Sequence, residues 1–517
     1  MSSWRRVSEA QNPGAAILAR ALALERAGDL PGAISAYEIA LASAPDNADV
    51  VARLATLAAR IEMFEAAARL WAEVSRLQPG RIEAIDGRAR AWCALGRFED
   101  AIFVLRETLL AHPDEARLWN SLGVILLQGG RTGAALTFLD KALDLDPRFA
   151  AAAYHRGNAH FDLGDLDAAA RDYGLGRALA KASSELAAIR FAEATVTLAR
   201  GDLAQGWEAY EARLSPHAQG AVTYDIPGRP WTPSEPLEGK TLLIMAEQGL
   251  GDELMFAGVL PDLLEALGAA GRLSLAVEPR LVALFARSFP QAKVGAHATM
   301  REGPRLRRRA RELGGRHVDL WAPMGSLPRR FRRTLADFRA AGGYLKPDPA
   351  RVAHWRAWLG DGPPAVGVSW RSGKVLGDRR RQYPPQSDWI PLLQTPGVRI
   401  VNLQYGDCAE ELAAFRQRCG HAILEPPGID LREDIDDLAA LCAALDLVVS
   451  VSNATGALAG ACGAKVALIA GPAAWPRLGT DRMPWYPQAR VLLAPSFDDW
   501  SPAMAQATAL VSRLAQA

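Results

Sequence analysis

The strongest constraint on the fold is a 34-residue period that runs through the first two hundred residues. Small residues recur at this interval as Ala33, Ala67, Ala101, Ala135 and Ala169. Prolines recur in one register, as Pro45, Pro79, Pro113 and Pro147. A small residue lets two helices cross closely, and a proline cannot continue the second helix. The period therefore predicts stacked helical hairpins that share one core.

The bulky residues of this region keep the same period. A large side chain follows each alanine by four positions, as Tyr37, Trp71, Leu105, Leu139 and Tyr173. This pattern resembles the tetratricopeptide repeat. A weaker copy keeps the spacing with Gly201, Gly206 and Tyr210, so we expect five clear repeats and a capping sixth within residues 1–215. The concave face of such an array binds proteins far more often than it catalyses.

Composition excludes several classes of protein. A chain of 517 residues is long enough for two or three domains, and its net charge of +1 does not indicate a nucleic-acid or general membrane-surface binder. The five cysteines are scattered without metal-ligand spacing, so we expect free thiols. The first residues have no apolar signal segment, and no run of about 18 apolar residues occurs. We expect a soluble, cytoplasmic protein.

The pattern changes after a proline-rich segment at residues 216–240, which marks a domain boundary or an ordered wrap-around segment. Short apolar runs then alternate with helical stretches, which indicates parallel sheets covered by helices on both faces. We expect strands at 241–247, 272–279 and 317–324, and again at 365–370, 399–405, 446–453, 465–471 and 490–495. The predicted fold class is α plus α/β, with two Rossmann-like halves at 241–347 and 348–517 and a ligand cleft at the carboxyl ends of their strands.

The segment "LIMAEQGLGDELMF" places a glycine turn between the first of these strands and a helix. Gly249 and Gly251 allow a tight turn, and the free amides at the helix start can bind an anion or an acceptor oxygen. The third glycine of a dinucleotide fingerprint is absent, because position 254 is leucine. Asp252, with Glu253 beside it, is either an acid directed at a ligand or a first-turn acid that complements the helix dipole.

A second loop follows the strand in "DLVVSVSNATGALAGACG". Its polar and small residues, which suit a phosphate at a helix N-terminus without a metal, are Ser452, Asn453, Thr455 and Gly456. An N-cap and tight helix packing are the alternative explanation. Arg371 and Lys374 in "WRSGK" would offset negative charge on a leaving phosphate, with Arg379, Arg380 and Arg381 in a loop that could fold over the cleft.

Arginine is concentrated in one further region, where eleven occur between 301 and 333. Solvated helix faces explain such a run, and an acidic partner or an anionic acceptor is the alternative. His155 and His160 lack the partners and the spacing of a metal pair and are interpreted as surface or groove residues. The acids of "EDIDDL" lie at a predicted helix start, where capping explains them, so we expect no metal site.

The ordered set "EQGLGDELMF", "WRSG", "VNLQYGD", "DLREDIDDLAALCAALDLVVSVSNATGALAGA" and "PWYP" resembles a bacterial family in which tetratricopeptide repeats precede a glycosyltransferase of the two-Rossmann (GT-B) type. That domain is similar to the heptosyltransferases. The resemblance implies that Asp252 is the base that deprotonates the acceptor hydroxyl and that residues 452–456 hold the nucleotide-sugar phosphates, with Gln404 on the same side. Those enzymes commonly have D-[ST]-G-x-x-H, whereas Ser452 and Ala457 replace the acid and the histidine here.

Some members with this arrangement resemble flagellin glycosyltransferases, in which the repeats recruit flagellin and the donor is a CMP-activated nonulosonic acid. The resemblance therefore implies a metal-independent, inverting transferase that uses a CMP-nonulosonic acid or a UDP- or GDP-sugar. The acceptor would be a serine or threonine hydroxyl of a protein on the concave face of the repeats. Two alternatives stay open: a non-enzymatic adaptor with a degenerate transferase domain, and a transferase that modifies lipopolysaccharide or another glycan.

Overall fold

A computed structural model describes residues 13–516 except 219, 303–304, 311–312, 314–316, 341, 374–380 and 421. The chain divides into two compact units. The first extends to Arg156 and includes a short segment that begins at Arg301, and the second begins at Gly157 and contains the later repeat helices and the parallel sheets.

The periodic region is helical throughout, as predicted. Its helices are α1 (Pro13–Ala27), α2 (Leu30–Ser43), α3 (Ala48–Arg60), α4 (Phe64–Leu77), α5 (Ile82–Ala94), α6 (Phe98–Ala111), α7 (Ala116–Gln128), α8 (Thr132–Leu145), α9 (Ala150–Asp162), α10 (Leu166–Leu179), α11 (Ser183–Ala199) and α12 (Leu203–Tyr210). The five periodic alanines are all 0% exposed, because each lies where two helices cross. Burial at the crossing explains why a small residue recurs there.

The sixth repeat keeps the helical hairpin but shifts its register. Gly206 takes the place of the periodic alanine, and a Cβ atom added there would lie 2.6 Å from Leu198 Cδ2. The spacing from Ala169 exceeds the period because α11 has 17 residues, whereas α9, the first helix of the preceding repeat, has 13. A helical hairpin is thus present where the sequence predicts the capping sixth repeat.

Within the described residues, two parallel sheets follow the repeats. The first is five-stranded, with the order β2-β8-β3-β4-β5, and the second is six-stranded, with the order β11-β10-β9-β12-β13-β14. The strands of the first are β2 (Arg229–Pro230), β3 (Thr241–Met245), β4 (Arg272–Val277), β5 (Lys293–Ala296) and β8 (Leu320–Pro323). Those of the second are β9 (Ala365–Ser369), β10 (Arg399–Asn402), β11 (Ile423–Leu424), β12 (Leu447–Val451), β13 (Val466–Ala470) and β14 (Arg490–Leu493). All eight predicted strands are present.

Helices cover the sheets. They are α13 (Leu250–Phe256), α14 (Leu260–Leu267), α15 (Val282–Ser288), α16 (Pro328–Phe331), α17 (Pro349–Leu359), α18 (Gln386–Leu393), α19 (Ala409–Cys419), α20 (Ile435–Ala444), α21 (Ala454–Ala461) and α22 (Ser501–Gln516). The central strands are buried along their whole length, as β9, β12 and β13 show, because helices pack on both faces. The α plus α/β prediction is confirmed at this level.

The segment at 216–240 is ordered where the structure describes it and contributes to the sheets. β1 (Val222–Asp225) joins a separate small sheet, and β2 becomes the edge strand of the first parallel sheet beside β8. The backbone continues this pairing past β2, where Trp231 N donates to Trp321 O at 2.8 Å. The described part of this segment is therefore ordered and adds an edge strand to the first parallel sheet.

The arginine run corrects a prediction. Its first part forms strands β6 (Ala298–Glu302) and β7 (Arg305–Arg309), which pair with β1 in the order β1-β7-β6, and not a solvated helix face. Arg308 is buried because its guanidinium donates to two backbone carbonyls, and Arg309 pairs with Asp225 at 2.7 Å. Arg329 pairs with Glu208 at 2.7 Å. Several of these cations are thus paired within the chain.

Two further findings bear on the composition. All five cysteines are free thiols, and burial raises the pKa of Cys442 to about 12. Among the residues that the structure describes, no helix combines the length and the apolar character that a membrane span requires.

Candidate functional site

A cleft with a volume of about 1210 Å³ lies at the carboxyl ends of the parallel strands. Its walls are formed by residues that follow β3, β4, β9, β10, β12 and β13, which is where open α/β sheets bind their ligands. The volume exceeds that of a typical drug-sized pocket and is sufficient for a nucleotide with an attached group. The cleft predicted from the strand pattern is therefore present.

The first wall of the cleft is the glycine turn after β3. Gly249, Gly251 and Asp252 line it, as predicted. Gly249 is the N-cap of α13, and the Asp252 carboxylate accepts a hydrogen bond from the Gly249 backbone amide at 3.1 Å. Asp252 thus caps its helix and faces the cleft, so the two interpretations of this acid are compatible.

The acids on either side of Asp252 point elsewhere. Glu253, expected in the acceptor-side loop, is 2% exposed and accepts from the Glu278 amide, with His297 Nε2 at 3.3 Å from its carboxylate. Glu247 is 3% exposed and pairs with Arg213 at 2.6 Å. Neither lines the cleft. The placement of Glu253 was wrong because consecutive helical residues point about 100° apart, so only one of the pair faces the ligand side.

The second wall is the loop after β12, where Asn453 caps α21. Its Oδ1 accepts from Gly456 N at 3.0 Å and from Ser450 Oγ at 2.9 Å. Its Nδ2 donates to Ser369 Oγ at 2.8 Å and to the Arg371 carbonyl at 3.0 Å. Asn453 borders the cleft, but its side chain joins the ends of β12 and β9. The N-cap interpretation is therefore correct for this residue.

Thr455 has the strongest ligand signature of the loop. Its side chain is 0% exposed and lines the cleft, and its Oγ1 atom has no hydrogen-bond partner among the described residues. A buried hydroxyl without a partner is costly, which indicates a missing acceptor or donor. It lies in the first turn of α21, whose leading amides have no intrahelical acceptor. Ser452 borders the same space and is exposed.

Gly456 has a packing role, which corrects its assignment as a phosphate contact. Its amide is occupied by Asn453, and a Cβ atom added to it would lie 2.8 Å from Leu468 Cδ2 and 3.1 Å from both Ser450 Oγ and Val451 O. The glycine therefore lets α21 approach β12 and β13 closely. It does not line the cleft.

Gly456→Ala should lower the free energy of unfolding by about 1–3 kcal/mol, because the methyl group overpacks this contact. Gly174→Ala is the matched control, since Gly174 lies within α10 with no atom within 4 Å of an added Cβ. That change should stabilise the protein by about 0.5–1 kcal/mol through helix propensity. Chemical denaturation measures both, and equal stability of the two variants would contradict the packing role.

Arg371 lines the cleft, but its charge is already paired. Its Nε donates to Glu411 at 2.8 Å, and its Nη2 donates to the Asp407 carbonyl at 2.6 Å. The hydrogen bond to Glu411 raises the pKa of Arg371. Arg371, the cation predicted to offset phosphate charge, is thus already paired with Glu411.

Gln404 does not line the cleft, which corrects its assignment to the nucleotide site. Its Oε1 accepts from the Trp370 and Arg371 amides, each at 2.9 Å, and its Nε2 donates to the Tyr405 carbonyl at 2.9 Å. The side chain is 1% exposed, so these backbone groups satisfy it internally. Gln404 shapes the turn after β9.

The predicted basic loop is only partly described. Lys374, Arg379 and Arg380 lie outside the described residues. Arg381 forms an ion pair with Asp162 of α9, and both side chains are nearly buried. Its guanidinium also lies 5.1 Å from the centre of the Phe497 ring. Arg381 is therefore held by α9 and Phe497, while the next residues, Gln382 and Tyr383, line the cleft.

The sequence did not identify two cations of the cleft, Arg280 and Arg432. Arg280 Nη1 donates to the Arg432 carbonyl at 2.7 Å, and the Arg432 side chain is 67% exposed. Each forms an ion pair with a glutamate close in sequence, Arg280 with Glu278 at 2.8 Å and Arg432 with Glu433 at 3.5 Å. Their positions in the chain were the available signal for the cleft. Arg280 follows the carboxyl end of β4, and Arg432 lies in the loop just before α20.

The two walls approach each other at their small residues. An added Cβ at Gly251 would lie 3.8 Å from Ala454 Cα and 3.9 Å from Ala457 Cβ. Ala457, which stands where the resembling enzymes have histidine, therefore faces the glycine turn directly. Among the described residues, no group of three or more histidine, cysteine, aspartate or glutamate side chains is arranged to hold a metal ion.

The histidines interpreted as surface or groove residues lie in α9. His155 Nδ1 donates a hydrogen bond to Asn120 Oδ1 at 2.9 Å, and burial lowers the pKa of His155 to about 4. His160 Nε2 lies 3.8 Å from Asp172. Both histidines therefore have partners within the repeats.

Comparison with known proteins gives a repeat family, one relative of nearly the whole chain, and several solved repeat structures. A family model described as "Tetratricopeptide repeat" matches residues 18–82, 87–148 and 138–183. Protein FlbA of Caulobacter vibrioides is 44% identical over 495 residues, which cover 95% of this chain and 83% of that protein. The solved structure of a thermophilic TPR protein of Thermus thermophilus is 20% identical and covers 36% of this chain and 99% of its own, with a TM-score of 0.32. The solved structure of PilW, a type IV pilus biogenesis factor, is 20% identical and covers 40% of this chain and 97% of its own, with a TM-score of 0.33.

The repeats and the sheets define the class: a tetratricopeptide repeat protein whose helical array is followed by an α/β region with parallel sheets. The 44% identity to protein FlbA over 95% of this chain defines the family more narrowly than the repeats do. The chain belongs to the family of protein FlbA.

Proposed function

We propose that this protein is a metal-independent, inverting glycosyltransferase of the GT-B type. It would move a sugar from a nucleotide-sugar donor to a serine or threonine hydroxyl of a protein held by the repeats. The observation that carries the proposal is the cleft itself, with Asp252 on one wall and the buried, unpartnered Thr455 hydroxyl on the other.

The second wall suits the donor. Thr455 Oγ1 and the leading amides of α21 are hydrogen-bond donors in a partly dry site, where phosphate oxygens are the matching acceptors. Arg280, which pairs with Glu278 at 2.8 Å, and the exposed Arg432, which lies 3.5 Å from Glu433, offer guanidinium donors at the edge of the same cleft. These groups would stabilise the charge that develops on the nucleotide as the sugar leaves.

The first wall suits the acceptor. A carboxylate at the mouth of a cleft can remove the proton of a hydroxyl as that hydroxyl attacks the sugar. Attack from the face opposite the leaving nucleotide inverts the anomeric centre. The repeats would supply proximity by holding the acceptor protein, and flagellin is the acceptor that the family resemblance favours.

A non-enzymatic adaptor is the second candidate, and two observations favour it. Arg371 is paired with Glu411, and Ala457 stands where the resembling transferases have histidine. In that case the cleft would bind a nucleotide as a signal, or bind none, and the protein would act through its repeats.

A transfer assay separates these functions. The purified protein is incubated with CMP-, UDP- and GDP-sugars and with flagellin, an unrelated protein or lipopolysaccharide, and each acceptor is weighed by mass spectrometry. Sugar on the flagellin alone supports the proposal, and sugar on lipopolysaccharide alone rejects the protein acceptor. Nucleotide binding without any transfer favours the adaptor.

Thr455→Val tests the donor wall. The change replaces the hydroxyl by a methyl group of the same shape, so the affinity for the preferred nucleotide should fall by roughly ten- to hundredfold. The free energy of unfolding without nucleotide should not fall and could rise by about 1 kcal/mol, because an unsatisfied buried hydroxyl is removed. Calorimetric titration and chemical denaturation measure the two effects.

Thr508→Val is the control for this change. Its hydroxyl donates to the Met504 carbonyl at 2.9 Å within α22, so the variant should lose about 1 kcal/mol of stability and keep its nucleotide affinity. Unchanged nucleotide affinity in Thr455→Val would remove Thr455 from the donor site.

A further inference from the structure

The helix that ends the repeats lies against the turn that carries Asp252. The Tyr210 hydroxyl, at the end of α12, is hydrogen-bonded to the Gln248 side chain at 3.1 Å. Tyr210 is 1% exposed, so this contact is made away from solvent. Burial, and next the charge of Asp252, raise the pKa of Tyr210.

Gln248 needs such support because of its backbone. Its φ angle is 64°, in the left-handed region that residues other than glycine rarely adopt. Residues held there persist when their surroundings determine the conformation. Arg308 donates from Nη1 to the Ala246 carbonyl at 2.6 Å and from Nη2 to the Gln248 carbonyl at 3.3 Å, so the backbone of the turn is held as well.

The same helix also contacts the opposite wall of the cleft. The ring centre of Tyr210 lies 5.4 Å from that of Trp475, which lines the cleft after β13. The ring centre of Trp207 lies 6.3 Å from that of Phe256 in α13 and 6.1 Å from that of Trp475. At the other end of the hairpin, a Cβ atom added to Gly479 would lie 2.9 Å from Gly201 Cα. Thus α12 and the turn before it contact both walls.

We propose that the sixth repeat is a positioning element of the cleft, in which Tyr210 fixes the left-handed turn at Gln248 and so sets the direction of Asp252. Tyr210 does not line the cleft and is a positioning residue, not a catalytic one. Its effect on the geometry of the turn does not depend on what reaction the protein catalyses. Its effect on sugar transfer rests on the proposed function.

Tyr210→Phe removes the hydroxyl and keeps the ring packing. The matched control is Tyr173→Phe, because Tyr173 has the same place in the fifth repeat and its hydroxyl donates to Asn158 at 2.7 Å. Hydrogen exchange followed by mass spectrometry reports the amides of residues 247–256. We expect exchange in this peptide to accelerate about fivefold or more in Tyr210→Phe and to be unchanged in Tyr173→Phe, with similar melting temperatures.

Gln248→Met removes the other partner of the same hydrogen bond. The double variant should accelerate exchange no more than the stronger single variant, because both changes break one contact. Unchanged exchange in Tyr210→Phe, or fully additive effects of the two changes, would overturn the proposal.

Kinetics connects the turn to the reaction. If the wild-type protein transfers a sugar, Tyr210→Phe should lower kcat several-fold while KM for the nucleotide sugar stays constant, since the donor wall is untouched. An unchanged kcat would overturn the positioning role in the reaction. If the wild-type protein transfers no sugar, the proposed function fails, and the exchange experiment still decides whether Tyr210 fixes the turn.

Discussion

Asp252→Asn should lower the rate of sugar transfer by about 10²- to 10⁴-fold, which is the usual contribution of a general base. The stability should hardly change, because an asparagine oxygen can still accept the Gly249 amide that Asp252 caps at 3.1 Å. Nucleotide affinity should also be retained, because the donor groups are on the other wall. Single-turnover rates, denaturation and calorimetric titration measure the three quantities.

Asp252→Ala distinguishes the two roles of this acid. It removes both the base and the cap, so it should match the asparagine variant in rate and lose about 1 kcal/mol of stability in addition. If the asparagine variant keeps wild-type activity while the alanine variant is less stable, Asp252 acts only as a helix cap. The base must then be sought elsewhere in the cleft.

Arg213→Met should cause the largest loss of stability, about 3–5 kcal/mol, because it leaves the Glu247 carboxylate buried without its cation. The two side chains are 4% and 3% exposed and lie 2.6 Å apart. Burial opposes the charge of Arg213, but the charges of Glu247 and Glu211 outweigh it and raise the pKa of Arg213 well above its usual range. Chemical denaturation at fixed pH measures the loss.

The double variant Arg213→Met with Glu247→Met tests the cause of that loss. The double variant leaves no fully buried carboxylate without a cation, and Glu211, which also loses Arg213, keeps Arg329 at 3.3 Å, so the double variant should be more stable than Arg213→Met alone. Its remaining deficit should reflect the Gly325 amide, which donates to Glu247 at 2.9 Å in the wild type. A double variant that is less stable than the single one would mean that hydrogen bonds, and not charge burial, dominate this site.

The sequence was most informative where structure is local. The alanine period placed the repeat helices because each repeat packs on its neighbours, and continuous apolar runs such as "TLLIMAE" placed the central strands. It failed for elements that depend on distant partners. β5 and β11 are short edge strands without a long apolar run, and β7 consists largely of arginines stabilised by Asp225 and by the carbonyls after β3.

For the site, the loops that the sequence singled out border the cleft, whereas some of the predicted side chains point away from it. Gly249, Asp252 and Thr455 line the cleft because their positions at the carboxyl ends of strands bring them there. Gln404 and Glu253 turn away because backbone amides elsewhere in the chain capture their oxygens. A motif gives the position of a residue along the chain. The direction of its side chain depends on acceptors and donors that come from other segments.

The position of the sixth repeat limits how the length of the chain can change in evolution. The helices α11 and α12 belong to the same compact unit as the sheets, and α12 contacts both walls of the cleft. A change in the length of α11 or α12 would therefore displace Tyr210 from Gln248, whereas a change in the earlier repeats would leave this contact in place. We therefore expect changes in the number of repeats to occur ahead of this last hairpin, which stays beside the cleft.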